Sequence, residues 1–153
     1  MARLNPYLSF RDNAREALEH YQSVLGGELN ISTFGDQPGM PGVSETDASL
    51  VMHGQLDTPA GLTLMAADSG SMMPHVPATS GVTVALTGGP DDLDYVRDAY
   101  QKLSDGATDT LPFELAPWGD YYGSLTDKFG ISWMFDVGAE GADAGTEGAG
   151  ATS

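Results

Sequence analysis

His53 and Asp68 are the first residues with chemistry to weigh. His53 stands in the strand-like run VMHGQL, and Asp68 closes the next such run, LTLMAAD. An imidazole titrates near neutrality and a neighbouring carboxylate orients it, so together they would make a general acid–base pair. A solvent-facing strand histidine is the plainer reading of the same residue. The densest chemistry lies further on, in Trp118-Gly119-Asp120-Tyr121-Tyr122-Gly123. Its glycines permit close backbone approach, its rings offer flat apolar faces and Asp120 adds a carboxylate. The wall of a small-molecule cavity needs those parts, lined by Trp118, Asp120 and whichever of Tyr121 and Tyr122 faces inward. An aromatic corner that only shapes the turn explains the segment equally well. Met65 and Met134 would soften such a cavity, although methionines at strand spacing usually fill a core. His20, in a helical segment, reads as an edge residue, and His75, in the loop MMPHVPATSG, as a residue at a cavity mouth.

Composition limits the partners. The chain has 153 residues, with 22 Asp and Glu against 6 Lys and Arg, a net charge of −16. Its cations, Arg3, Arg11, Arg15, Arg97, Lys102 and Lys128, are scattered rather than clustered. Phosphate backbones and anionic membranes need clustered cations, so neither nucleic acid nor a membrane surface is an expected partner. There is no cysteine, which excludes disulfides, thiolate metal sites and cysteine nucleophiles. No phosphate-binding loop, nucleophile elbow or dinucleotide fingerprint is present. The start of the chain does not read as a leader and no apolar run approaches a membrane span, so a soluble, cytoplasmic protein is expected.

Two helices and eight strands must position these residues. Ala14, Ala17, Leu18, Tyr21, Val24 and Leu25 recur at helical steps, Asn13 and Glu16 have capping-box spacing, and Gly26-Gly27 supplies a stop. A second helix is expected from about Asp91 to Leu103, with Leu93, Val96, Tyr100 and Leu103 on one face and acids in its first turn where the helix dipole favours them. Strand-like runs fall at 6–10, 28–34, 49–56, 62–67, 81–86, 108–115, 120–126 and 131–137. The Gly/Pro-rich stretches 35–43 and 69–81 read as loops.

The order strand, helix, three strands therefore occurs twice. Gly54, Leu56, Gly61 and Met65 recur as Gly123, Leu125, Gly130 and Met134, at a constant offset of 69. Tyr21-Gln22 likewise parallels Tyr100-Gln101. The expected fold class is α+β, two βαβββ modules at 1–68 and 80–137 whose sheets curl around a cavity, joined by a linker at 69–79. Residues 138–153, GAEGADAGTEGAGATS, hold no large apolar side chain and read as a disordered acidic tail.

A duplicated βαβββ module resembles the vicinal oxygen chelate superfamily of glyoxalases, bleomycin and fosfomycin resistance proteins and extradiol dioxygenases. Residues 6–29, VMHGQL (51–56), LTLMAADS (62–69) and PWGDYYGSLTDKFGISWMF (117–135) are similar to its PhnB-like, demethylubiquinone methyltransferase-like group. Asp127-Lys128-Phe129-Gly130 resembles that group's Asp-Pro-Phe-Gly turn, with Lys128 in place of proline. The resemblance implies metal ligands on the first and last strands of each module. Those positions fall on Asn5 or Pro6 and Met65, and near Val82 to Val84 and on Met134. None is a donor that a hard divalent ion prefers, so neither a metal nor another cofactor is expected. The expected function is therefore metal-free binding of a small molecule. The alternative is an enzyme with a non-standard metal site or a His–carboxylate pair. The resemblance also implies a homodimer.

Overall fold

The computed structural model describes residues 2–37, 44–69 and 81–139. Its contacts divide the chain into two units, 1–80 and 81–153. The linker expected at 69–79 lies outside the described residues apart from Ser69, as do His75 and all of the expected tail beyond Ala139. Gly138 is not part of a tail: its N–H donates to Gly88 O at 3.0 Å.

In the first unit, β1 (Tyr7–Phe10), α1 (Ala14–Leu25), β2 (Glu28–Thr33), β3 (Val51–Asp57) and β4 (Thr63–Asp68) form a four-stranded mixed sheet and one helix. Strand order is β1-β4-β3-β2, with β1 parallel to β4 and the other pairs antiparallel. The second unit repeats it with β5 (Val84–Gly88), α2 (Leu93–Leu103), β6 (Thr108–Leu115), β7 (Tyr121–Thr126) and β8 (Ser132–Val137), ordered β5-β8-β7-β6. Two copies of βαβββ are thus confirmed element by element. β5 begins later than the run 81–86 implied, and a 3-10 turn at Pro90–Asp92 precedes α2.

Each helix buries one stripe. All six expected apolar positions of α1 are buried, whereas α2 buries Val96, Ala99 and Leu103 and leaves Leu93 and Tyr100 half-buried. The sheets alternate at a period of two. Leu64, Ala66 and Asp68 of β4 are buried while Thr63, Met65 and Ala67 are half-buried, and β8 repeats this with Trp133, Phe135 and Val137. The buried set faces the helix, since a Cβ added at Gly54 of β3 would overlap Leu18 of α1. His53, Gln55 and Asp57 therefore project from the opposite face of the first sheet.

Sheet register aligns the two copies. Leu8 lies across from Ala66 and Leu86 across from Phe135. With Ala66 and Phe135 equivalent by the offset of 69, the first strands are related by 78. The buried pairs Leu18/Val96, Tyr21/Ala99 and Leu25/Leu103 follow that same 78. Tyr100 is consequently not the counterpart of Tyr21, contrary to the sequence pairing; its hydroxyl instead donates to Leu111 O at 3.0 Å.

The expected capping box of α1 is replaced by a distant residue. Asn13 makes no side-chain cap. Asp68 Oδ1 accepts the Ala14 N–H at 2.9 Å, and Asp68 Oδ2 accepts the Val51 N–H at 2.9 Å. One carboxylate from β4 thereby satisfies an orphan donor of the helix start and ties down the start of β3.

Candidate functional site

On the first sheet's face opposite α1, the side chains are mostly polar. Tyr7 Oη and His53 Nδ1 are 3.1 Å apart, their ring centroids 5.6 Å. These residues are not on adjacent strands: β4 runs between β1 and β3, and on this face it presents the small Ala67 beside Met65. Burial pushes the Tyr7 phenol upward from its ordinary value, keeping it protonated. Two residues along β3, Gln55 Nε2 donates to Asp57 Oδ2 at 2.9 Å, and the Thr63 hydroxyl donates to Asp57 Oδ1 at 2.8 Å. Those two bonds, Gln55 first, hold the Asp57 carboxyl below its ordinary range. Asn30, Ile31, Ser32, His53 and Gln55 line a depression of about 330 Å³.

The second unit has its own polar and aromatic groups. Trp118 and Tyr122 meet edge to face at 5.7 Å and line a depression of about 230 Å³ with Leu111, Glu114, Leu115 and Pro117. Trp118 is 65% exposed. Asp136 of β8 lies opposite Tyr122 and Thr87 in the ladder. Desolvation, with a hydrogen bond to Asp120 and that group's charge, pushes Asp136 up to about 6, and its Oδ1 is buried without a partner.

The sequence-derived candidates separate accordingly. His53 and Asp68 do not form a pair: they point to opposite faces, His53 to Tyr7 and Asp68 to two backbone N–H groups beneath α1. Alternation forces this, because Asp68 shares the buried parity of Leu64 and Ala66. Of the two tyrosines, Tyr122 stands with Trp118, whereas Tyr121 packs on Phe113 at 6.1 Å beneath the Arg97 guanidinium at 5.5 Å. Asp120 meets Asp136. Met65 lies opposite Tyr7 and Gln55, and Met134 opposite Ala85 and Ser124. Tyr7, Gln55 and Asp136 are groups that sequence reasoning missed. The parity of YLSF, with Leu8 and Phe10 inward, was the one signal that set Tyr7 on a polar face.

A model of the family described as 3-demethylubiquinone-9 3-methyltransferase matches residues 2–135. The chain belongs to this family. Protein YjdN of Escherichia coli (strain K12) is a relative, 28% identical over 144 residues, covering 88% of this chain and 94% of YjdN. The crystal structure of protein PA1353 from Pseudomonas aeruginosa is similar at a TM-score of 0.77 and 27% identity, covering 92% of this chain and all of that one. A glyoxylase/bleomycin resistance protein/dioxygenase domain from Frankia has a TM-score of 0.58 and 16% identity, over 92% of this chain and 94% of that one, and shows the shared fold. The fold is thus that of the glyoxalase and bleomycin resistance proteins, as the PhnB-like resemblance implied.

Within this family the described residues offer no group of three or more His, Cys, Asp or Glu that could hold a metal ion. The donor chemistry at the strand positions agrees: Met65 with Pro6 and Tyr7 beside it, and Met134 with Ala85, do not suit a hard divalent ion. Nor do the described sheets suit the methyltransferase in the family's description. Each has a single parallel pair, not the doubly wound parallel sheet whose first turn grips a nucleotide-like cofactor. No helix among the described residues is long and apolar enough to cross a membrane.

Proposed function

We propose that this member of the PhnB-like family is a cytoplasmic protein that binds a small organic molecule without a metal ion. The observation that supports this most is the exchange of donors for neutral groups at Met65 and Met134, on the same faces that gather the polar and aromatic side chains. A homodimer belongs to this reading. β6 is an edge strand of its sheet, and Leu111 and Leu115 on it are 49% and 57% exposed beside Trp118.

Metal analysis of protein purified without chelator or affinity nickel tests the first half. Less than about a tenth of an equivalent per chain is expected, and near-stoichiometric metal would overturn it. A thermal-shift screen of neutral, anionic and cationic metabolites tests the second half, and light scattering tests the dimer. An enzyme is the second reading, favoured by the Tyr7–His53 hydrogen bond, which joins two groups able to exchange protons. A substrate whose turnover is lost in His53→Ala would bring that reading forward.

A further inference from the structure

We propose that the depression over Asn30, Ser32, His53 and Gln55 is a subsite for a neutral amide- or urea-like group, held between a donor on His53 and an acceptor on Gln55. This deepens the small-molecule reading and rests on it. Its first support is the contact between Tyr7 and His53. Tyr7 Oη lies 3.1 Å from His53 Nδ1, which occupies that nitrogen and leaves Nε2 to face a ligand; in the proposed subsite the phenol is the donor of this bond, which puts the imidazole proton on Nε2 as an N–H donor.

The second support is the orientation of Gln55. Its Nε2 is engaged by Asp57 Oδ2, and Asp57 is in turn held by Thr63, so Oε1 is the end of the amide left as an acceptor. His53 and Gln55 are two apart on β3 and project from one face, about 7 Å apart along the strand. Two hydrogen bonds of about 2.9 Å with the width of an amide between them span such a gap. The third support is charge. Asn30, Ile31, Ser32 and Gln55 bear none and His53 is the one ionisable side chain among the lining residues, so the lining holds no fixed charge to offset the desolvation of an ionic ligand. Tyr7 is then a positioning residue that sets which imidazole nitrogen faces the ligand.

Long-range proton–nitrogen spectra of the histidines in the full chain, at about pH 8 where an ordinary imidazole is neutral, test this directly. Benzamide, benzoate and benzylamine are the probes. His53 is expected in the Nε2–H form, and benzamide is expected to move the His53 and Gln55 side-chain signals while the charged probes do not. His53→Phe should weaken benzamide about fivefold, as for loss of one neutral hydrogen bond. Tyr7→Phe should mix the tautomers, and Gln55→Glu should shift preference toward benzylamine. An Nδ1–H form in the native chain, unmoved signals with benzamide, or an equal response to benzoate would overturn the subsite. If a hit from the metabolite screen moves the Trp118 indole signal instead, the subsite falls and the binding reading survives. If nothing in the screen binds, both fall.

Discussion

Trp133 Nε1–H donates to Asp127 Oδ2 at 2.9 Å, and both residues are almost fully buried. Asp127 Oδ1 accepts the backbone N–H groups of Phe129 and Ile131 as well, so one carboxylate organises the β7–β8 turn and anchors the largest core side chain of its unit. The first unit builds the equivalent turn from Thr58, whose hydroxyl accepts the Leu62 N–H at 3.1 Å. Lys128 in place of proline leaves this turn intact.

Asp127→Ala should therefore cost about 3 kcal/mol, because three donors lose a charged acceptor in a buried place. Urea unfolding followed by Trp fluorescence measures it. A loss below about 1 kcal/mol would mean the carboxylate is not what holds the turn.

Asp68 has a structural role in the first unit. Asp68→Ala leaves the Ala14 and Val51 N–H groups without their acceptor and should cost about 2–3 kcal/mol. Asp68→Asn should leave the His53 imidazole nitrogen shifts where they are. Movement of those shifts on that substitution would revive the acid–base pair that the sequence suggested.

Gly54 and Gly123 occupy equivalent positions and respond differently to a methyl group. At Gly54 the added carbon meets the end of the Leu18 side chain; at Gly123 it meets the Phe113 Cα at 2.7 Å and the Leu111 O at 3.0 Å. Side chains yield more easily than backbone, so Gly54→Ala should cost about 1–2 kcal/mol and Gly123→Ala more. Leu18→Ala should be partly rescued by Gly54→Ala, and no such partner exists for Gly123. A double-mutant cycle decides the first case.

Asp136 makes the second unit sensitive to pH. Its carboxyl is raised from 3.8 to about 6 by desolvation first and by Asp120 next, so the protonated form is the one that folding favours. Stability from this group is complete below about pH 4 and lost as pH rises through about 6. Asp136→Asn should raise Tm by about 3 °C at pH 7.5 and change it little at pH 4. Equal effects at the two pH values would remove Asp136 as the cause.

Much of the architecture was legible because its signals are local. The three- and four-residue steps from Ala14 to Leu25 named every buried position of α1, and the run ISWMFDV marked β8, whose alternation in the structure puts Trp133 and Phe135 on the opposite face from Met134. The offset of 69 from Gly54 to Gly123 revealed the duplication, since the turn between the last two strands and the last strand itself have the same length in both copies. The offset changes to 78 for the first strand and helix because residues 34–50, between β2 and β3, have only a short counterpart at 116–120. Tyr21 and Tyr100 were paired one residue out of step because both precede a Gln, a dipeptide match that does not follow the helix register.

The sequence by itself determined the two βαβββ copies, the core stripe of α1, the absence of cysteine chemistry and the neutral residues at the metal-ligand positions. Each of these depends on residue type or on spacing within a segment. Only the tertiary structure decided the partnerships: His53 with Tyr7 across 46 residues, Asp68 with the start of α1 across 54, Asp136 with Asp120 from the bend before β7. Strand order β1-β4-β3-β2 and the face on which each side chain emerges set those distances. A linear chain records the parity of each strand but not which strand will lie beside it.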